Sequence, residues 1–169
     1  MVVEQGIIVQ ASSKMLSNNN SIVHPALRVI GNVLTGKPEH VEAALEAGAL
    51  ENLIHLAKRG KGALRKEIMW ALSNVCADSA VSVERFLRSD AFVLTIELCD
   101  DPLKDVRKEA QFALINALTT GEEGHVLEML ENPKLLPVMV DILKRQDDPK
   151  LSYHGLLALI RLFELSNEA

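Results

Sequence analysis

Apolar residues recur along the chain at helical spacing, as in VEAALEAGALENLIHLA and KEIMWALSNV, and strand-like alternation is hard to find. The pattern predicts an all-helical protein. Its punctuation sets the helix ends. Pro38 suits the first turn of a short helix over 38–46 that stops at Gly48. A second helix over 49–58 stops at the Arg59-Gly60-Lys61-Gly62 turn, and a longer third covers 63–76. The scheme recurs as Ser82 to Arg88, Phe92 to Leu98 and Leu103 to Leu118, with Asp101-Pro102 at the break. It returns as Glu122 to Leu130, Leu135 to Lys144 and Lys150 to Leu162, with Asp148-Pro149 before the last helix.

The segments HPALRVIGNVLTG (24–36), RKEIMWALSNVCAD (65–78) and RKEAQFALINALTTG (107–121) align, and their asparagines Asn32, Asn74 and Asn116 are spaced 42 apart. Gly6, Gly48 and Asp90 keep the same period as a second marker. A period of this length with one short and two longer helices is the armadillo pattern rather than the two-helix HEAT pattern. The expected architecture is therefore an all-α, right-handed superhelical solenoid forming one domain over 1–169. It has about four repeats, approximately 1–36, 37–78, 79–121 and 122–169. The fourth copy is looser, with Arg161 near the asparagine position, 45 residues after Asn116. The first lacks its short helix, so the chain is expected to start in mid-repeat, either as a fragment or with a degenerate cap.

Composition narrows the function classes. The length of 169 residues, with 48% hydrophobic and 24% charged, fits one soluble domain. Charges interrupt every apolar run well before membrane-span length, and the N-terminus carries Glu4 with no basic segment, unlike a secretory leader. A location in cytoplasm and nucleus is expected. Cys76 and Cys99 are isolated in apolar stretches and read as small buried hydrophobes. A net charge of −5, with four Phe, one Trp and one Tyr, disfavours nucleic acid, which needs cations and stacking platforms. The histidines at 24, 40, 55, 125 and 154 show no metal-ligand spacing, and no phosphate-binding glycine loop or nucleophile motif is present. No metal, no cofactor and no enzymatic activity are expected. The basic run from Lys58 to Lys66 reads as a solvated turn beside a helix C-terminus, where cations suit the dipole.

Glu67, Trp70 and Asn74 fall at i, i+3 and i+7 on one helical stripe, and Glu109, Phe112 and Asn116 repeat those offsets. In an armadillo stack the third helices line the concave face, so the asparagines form a ladder along a groove. An amide both donates and accepts, and can hold the backbone of an extended peptide without reading its side chains. Helices packed about 8–10 Å apart against a strand rise of about 3.3 Å place successive asparagines two or three ligand residues apart. Alternate ligand side chains then point into the groove. The Trp70 ring offers a wall and a π-face to a lysine or arginine stem, and Glu67 and Glu109 supply opposite charge. Taken singly, such an asparagine can instead bond a neighbouring loop, and a lone tryptophan can be core.

The runs PALRVIGNVLTG (25–36), GAL (48–50), KEIMWALSN (66–74) and RKEAQFALINALTTG (107–121) resemble the importin-α family of nuclear-import adaptors, in the later repeats around the minor signal-binding site. The resemblance implies that Asn74 and Asn116 clamp the signal backbone and that Trp70 and Phe112 wall its lysine slots. It further implies that Glu67 and Glu109 pair with its charges, while Asn32 and Thr35 close the far end. Arg28 stands where that region of the family has arginine in place of tryptophan. Phe112 replaces a family tryptophan and Arg161 an asparagine, so the slot weakens and the clamp ends at Asn116. The family's basic N-terminal segment and its major-site repeats are not found, so this chain would bind a signal without being a complete adaptor.

The expected partners are Lys/Arg-rich cargo segments, with neither nucleic acid nor membrane. Self-association through exposed solenoid ends is a further expectation. The alternative is an armadillo scaffold that binds a different extended or helical protein.

Overall fold

The computed structural model describes residues 5–144 and 148–168. The first four residues, Glu4 among them, lie outside the described residues, as do 145–147 and 169. Among the described residues the chain forms eleven helices and no strand. They are α1 (Gln5–Lys14), α2 (Asn20–Val33), α3 (Pro38–Glu46), α4 (Ala49–Arg59), α5 (Ala63–Asp78), α6 (Ala80–Arg88), α7 (Ala91–Leu98), α8 (Lys104–Thr120), α9 (Glu123–Leu130), α10 (Leu135–Lys144) and α11 (Pro149–Glu168).

The helix ends follow local chemistry. Pro38 opens α3 at the position where its missing N–H costs nothing. Gly48 makes the sharp joint between α3 and α4 at φ 73°, a conformation a Cβ would strain. Asn19 caps α2 by accepting from the Ser21 N–H, and Ser79 caps α6 by accepting from Ser82. Some details differ from the sequence expectation. Asp90 holds the place of Gly48 in the next unit at φ −67°, and Gly6 lies within α1, so the second repeat marker shares a register but not a conformation. The helix α2, capped by Asn19, holds Pro25 within it. The last helix runs on to Glu168, beyond the Leu162 expected.

The longest helices pack in a row, α2 on α5, α5 on α8 and α8 on α11, while α1, α4 and α7 stack beside them. Each unit buries its apolar face only against its neighbours. Ile30, Ile68, Met69, Leu72 and Leu114 are fully buried along the row, as is Leu53 of α4 beside it, and Phe86 meets Phe92 edge-on at 6.1 Å. Each such side chain contributes about 1.5–3 kcal/mol by leaving water. Cys76 and Cys99 are buried and free, and burial pushes the Cys76 thiol far above its ordinary value.

Polar links between units span about one period. Arg65 pairs with buried Asp101 at 2.7 Å, Arg85 with Glu42 at 2.5 Å and Arg88 with Glu128 at 2.8 Å. The basic run is therefore not merely solvated. Lys58 reaches Asp90 at 2.6 Å, Arg59 donates to the Ser17 carbonyl at 2.9 Å, and Lys66 reaches Asp105 at 2.9 Å. These cations lie at the joint between helices, where acidic side chains of the next unit come within reach.

Candidate peptide-binding groove

Packing α5 against α8 brings the two repeated stripes side by side. Trp70 and Glu109 border two adjoining clefts along the α2–α5–α8–α11 row. One, of about 350 Å³, is lined by Arg28, Ala63, Lys66, Glu67, Trp70 and Glu109. The other, of about 510 Å³, is lined by Trp70, Ser73, Asn74, Lys108, Glu109, Phe112, Asn116, Lys150 and His154. Six residues singled out from the sequence thus meet in one groove: Glu67, Trp70, Asn74, Glu109, Phe112 and Asn116. Asn32 and Thr35 do not line either cleft. Both are exposed, and the Thr35 hydroxyl donates to the Asn32 carbonyl at 2.8 Å.

The ring of Trp70 is set by a close approach. An ideal Cβ built on Gly31 would stand 2.3 Å from Trp70 Cζ3, so glycine on α2 makes room for the indole. The guanidinium of Arg28 lies over the same indole, 5.7 Å from the ring centroid, and pairs with Glu67 at 2.5 Å. One internal cation therefore holds both the aromatic face and the carboxylate expected to receive a ligand cation.

The two asparagines differ. Asn116 donates through Nδ2 to the Ser73 carbonyl at 2.9 Å, joining α8 to α5. The Nδ2 of Asn74 is buried without a hydrogen-bond partner among the described residues. Arg161 does not continue this ladder. The 42-residue step from Asn116 reaches Ala158, which is buried, whereas Arg161 donates to the carbonyls of Leu118, Thr119 and Gly121 and closes the C-terminal end of α8.

The sequence reading missed the lysines. Lys66, Lys108 and Lys150 repeat with the same 42-residue step, each four residues before Trp70, Phe112 and His154. That i, i+4 spacing was legible, since residues four apart are neighbours on one helix face. Phe112 carries two ammonium groups, Lys108 of its own helix at 5.9 Å and Lys150 of α11 at 5.8 Å from its centroid, with the His154 ring edge-on at 6.3 Å. Lys108 pairs with Asp148 at 2.5 Å, which together with the Leu151 N–H holds the Asp148 carboxyl below its ordinary range. Hydrogen bonding to Asp105 raises Lys66 and lowers Asp105 in turn. Glu109 is half-buried, and desolvation raises its pKa despite the nearby cations Lys66, Lys108 and Lys150. The lining is thus richer in cations than the net charge of −5 implies.

Among solved structures, a designed armadillo repeat protein superimposes on 92% of this chain and 64% of its own with a TM-score of 0.85 at 20% identity. The chain has the armadillo-repeat solenoid fold. A second designed armadillo repeat protein, solved in complex with the peptide (KR)4, covers 94% of this chain and 70% of its own, with a TM-score of 0.79 and 22% identity.

Over part of its length the sequence is similar to importin-α subunits. Importin subunit alpha-2 of Oryza sativa subsp. japonica is 34% identical over 106 residues, 59% of this chain and 20% of that protein. Importin subunit alpha-3 of Arabidopsis thaliana is 33% identical over 70 residues, 41% of this chain and 13% of that protein. The armadillo chain thus spans at most about a fifth of the length of these relatives. No family model matches it. None of the described helices is long and apolar enough to cross a membrane, and no group of three or more potential metal ligands occurs among the described residues.

Proposed function

We propose that the groove between α2, α5, α8 and α11 binds an extended basic peptide of the nuclear localisation signal type, as part of nuclear protein import. The carrying observation is the shared cleft in which Trp70 and Phe112, Asn74 and Asn116, and Glu109 meet from adjacent third helices. In this reading the aromatic rings wall the stems of ligand side chains, the asparagines hold the ligand backbone, and Glu67 and Glu109 face its cations. Asn32 and Thr35 bear on the ligand only beyond the groove end. The importin-α relatives supply the transport context, with residence in cytoplasm and nucleus. The designed armadillo protein holding (KR)4 illustrates that this fold can carry a basic peptide.

The same reading divides the chain at about 1–36, 37–78, 79–121 and 122–169 and makes it a binding module rather than an enzyme. Self-association through the exposed apolar ends, where Ile7 and Val9 or Leu156 and Phe163 lie open, is checked by light scattering over a dilution series.

Trp70 is the only tryptophan, so it reports on its own slot. Titration with a Lys-Lys-Arg-Lys-type peptide should give a saturable fluorescence change that weakens with salt and is not reproduced by an acidic control. No change, with no heat in calorimetry, would withdraw the groove and favour an armadillo scaffold with a different partner.

A further inference from the structure

Resting on that reading, the pattern of paired and unpaired charge along the groove points to a ligand more specific than a basic peptide. Pairing removes most of the lining charge. Arg28 is taken by Glu67, Lys66 by Asp105 and Lys108 by Asp148. Two charges are left without an ion pair among the described residues: Glu109, which borders Trp70 in both clefts, and Lys150, whose ammonium lies 5.8 Å from the Phe112 centroid. They are of opposite sign and belong to neighbouring units.

The Phe112 end is a poor seat for a cation. Its ring already faces Lys108 and Lys150, with His154 against its edge, so an incoming lysine would meet two ammonium groups on the π-system meant to attract it. An anionic side chain there would meet the unpaired Lys150 directly. The Trp70 end differs: its ring faces a single guanidinium, Arg28, which Glu67 pairs, and Glu109, though Lys66, Lys108 and Lys150 act on it through space, forms no ion pair among the described residues.

We propose that the cleft between α8 and α11 is a subsite for an anionic side chain, carboxylate or phosphate, held by Lys150 beside Phe112, so that the ligand is a mixed-charge peptide. Its basic residue lies at Trp70 and Glu109 and its acidic residue at Lys150. Adjacent helices about 8–10 Å apart and a strand rise of about 3.3 Å put the two ligand residues two or three apart, and of these the two-residue spacing keeps both side chains on the same side of an extended chain. The motif is basic–x–acidic, or the reverse order according to the direction in which the peptide runs.

The test uses the full chain and short peptides identical except at two positions: Lys-Ala-Lys, Lys-Ala-Glu and Glu-Ala-Lys, with phosphoserine replacing Glu in a further pair. Binding is followed by Trp70 fluorescence and calorimetry at low salt. One mixed order is expected to bind about three- to fivefold tighter than Lys-Ala-Lys, the scale of one partly screened ion pair. Lys150→Glu should reverse that ranking. Lys150 is exposed in the first turn of α11, where an acidic residue suits the helix dipole, so the variant keeps its fold. A gain with either glutamate or phosphoserine supports the subsite, and the larger gain names the anion. Tightest binding of Lys-Ala-Lys, or a ranking unchanged in Lys150→Glu, would overturn the subsite while leaving the basic-peptide reading intact. No binding by any peptide would remove the groove reading and the subsite with it.

Discussion

Arg28 Nη2 stands 2.5 Å from Glu67 Oε1, with the same guanidinium over the Trp70 ring. The two residues are 39 positions apart and meet because α2 packs on α5. The contact reproduces within the protein what the groove is proposed to offer a ligand, a carboxylate and a π-face for one cation. The Arg28 side chain is 58% exposed, so it is held by this pairing rather than by packing and can be displaced.

Replacing Arg28 by alanine should therefore open the slot. Basic-peptide affinity is expected to rise by up to about fivefold, the range of an exposed ion pair no longer competing. The fluorescence titration at Trp70 reads it. A fall in affinity would instead make Arg28 part of the ligand's own seat.

Gly31→Ala tests the placement of the indole. The new methyl would overlap Trp70 Cζ3 and force the ring outward, at about 1–3 kcal/mol of stability. Thermal unfolding should record the loss, and the emission of the free protein should shift as the ring moves.

Asn74 and Asn116 should separate stability from binding. Asn116→Ala breaks the bond to the Ser73 carbonyl and should cost about 0.5–1.5 kcal/mol in denaturant unfolding. Asn74→Ala removes an Nδ2 that has no partner among the described residues, so its unfolding midpoint should hardly change. Its peptide affinity should nonetheless fall by about 1–3 kcal/mol, as for a central anchor.

Arg161→Ala should loosen the joint between α8 and α11. Three carbonyls at the end of α8 lose a charged donor, and the cost is expected to be about 1–3 kcal/mol. Lysine at this position should recover only part, because a single ammonium cannot reproduce the planar fork. Chemical denaturation of the two variants makes the comparison.

Glu109 gives a dependence on pH. Burial raises its pKa above the ordinary 4.5, so the folded state holds its proton more tightly than the unfolded chain. Ionising it costs stability, and the cost grows as pH rises from about 4.5 and levels off above the elevated folded value. Glu109→Gln should accordingly be more stable than the parent at pH 7, with the difference vanishing in acid below the ordinary glutamate range. Equal stability at neutral pH would show that the surrounding lysines already compensate the carboxylate.

Most of the helices were legible because their boundaries rest on local chemistry. Pro38, Gly48 and Gly60 mark ends through backbone preference alone, and the apolar faces of α5 and α8 follow the helical period. Pro25 shows how a cap can override a breaker. It lies in the second turn of α2, and the Asn19 side chain accepting from the Ser21 N–H starts that helix before it.

The groove was legible to the extent that it repeats. A period of 42 placed Glu67, Trp70 and Asn74 beside Glu109, Phe112 and Asn116, because stacked units of equal length bring equivalent positions into line. The same period also carried Lys66, Lys108 and Lys150, although charged residues on a solenoid give no sign of whether they face solvent, a neighbour or a ring.

The sequence by itself determined that this chain builds helices, that they recur in stacked units, and which stripe of side chains the units share. Those properties depend on near neighbours and on a regular repeat. Which amide stays unpartnered, which cation covers which ring, and which of Glu67 and Glu109 remains unpaired were decided only by the tertiary structure. Each depends on side chains about forty residues apart meeting across a helix interface, within distances of a few ångströms that set whether charges pair or remain available to a ligand.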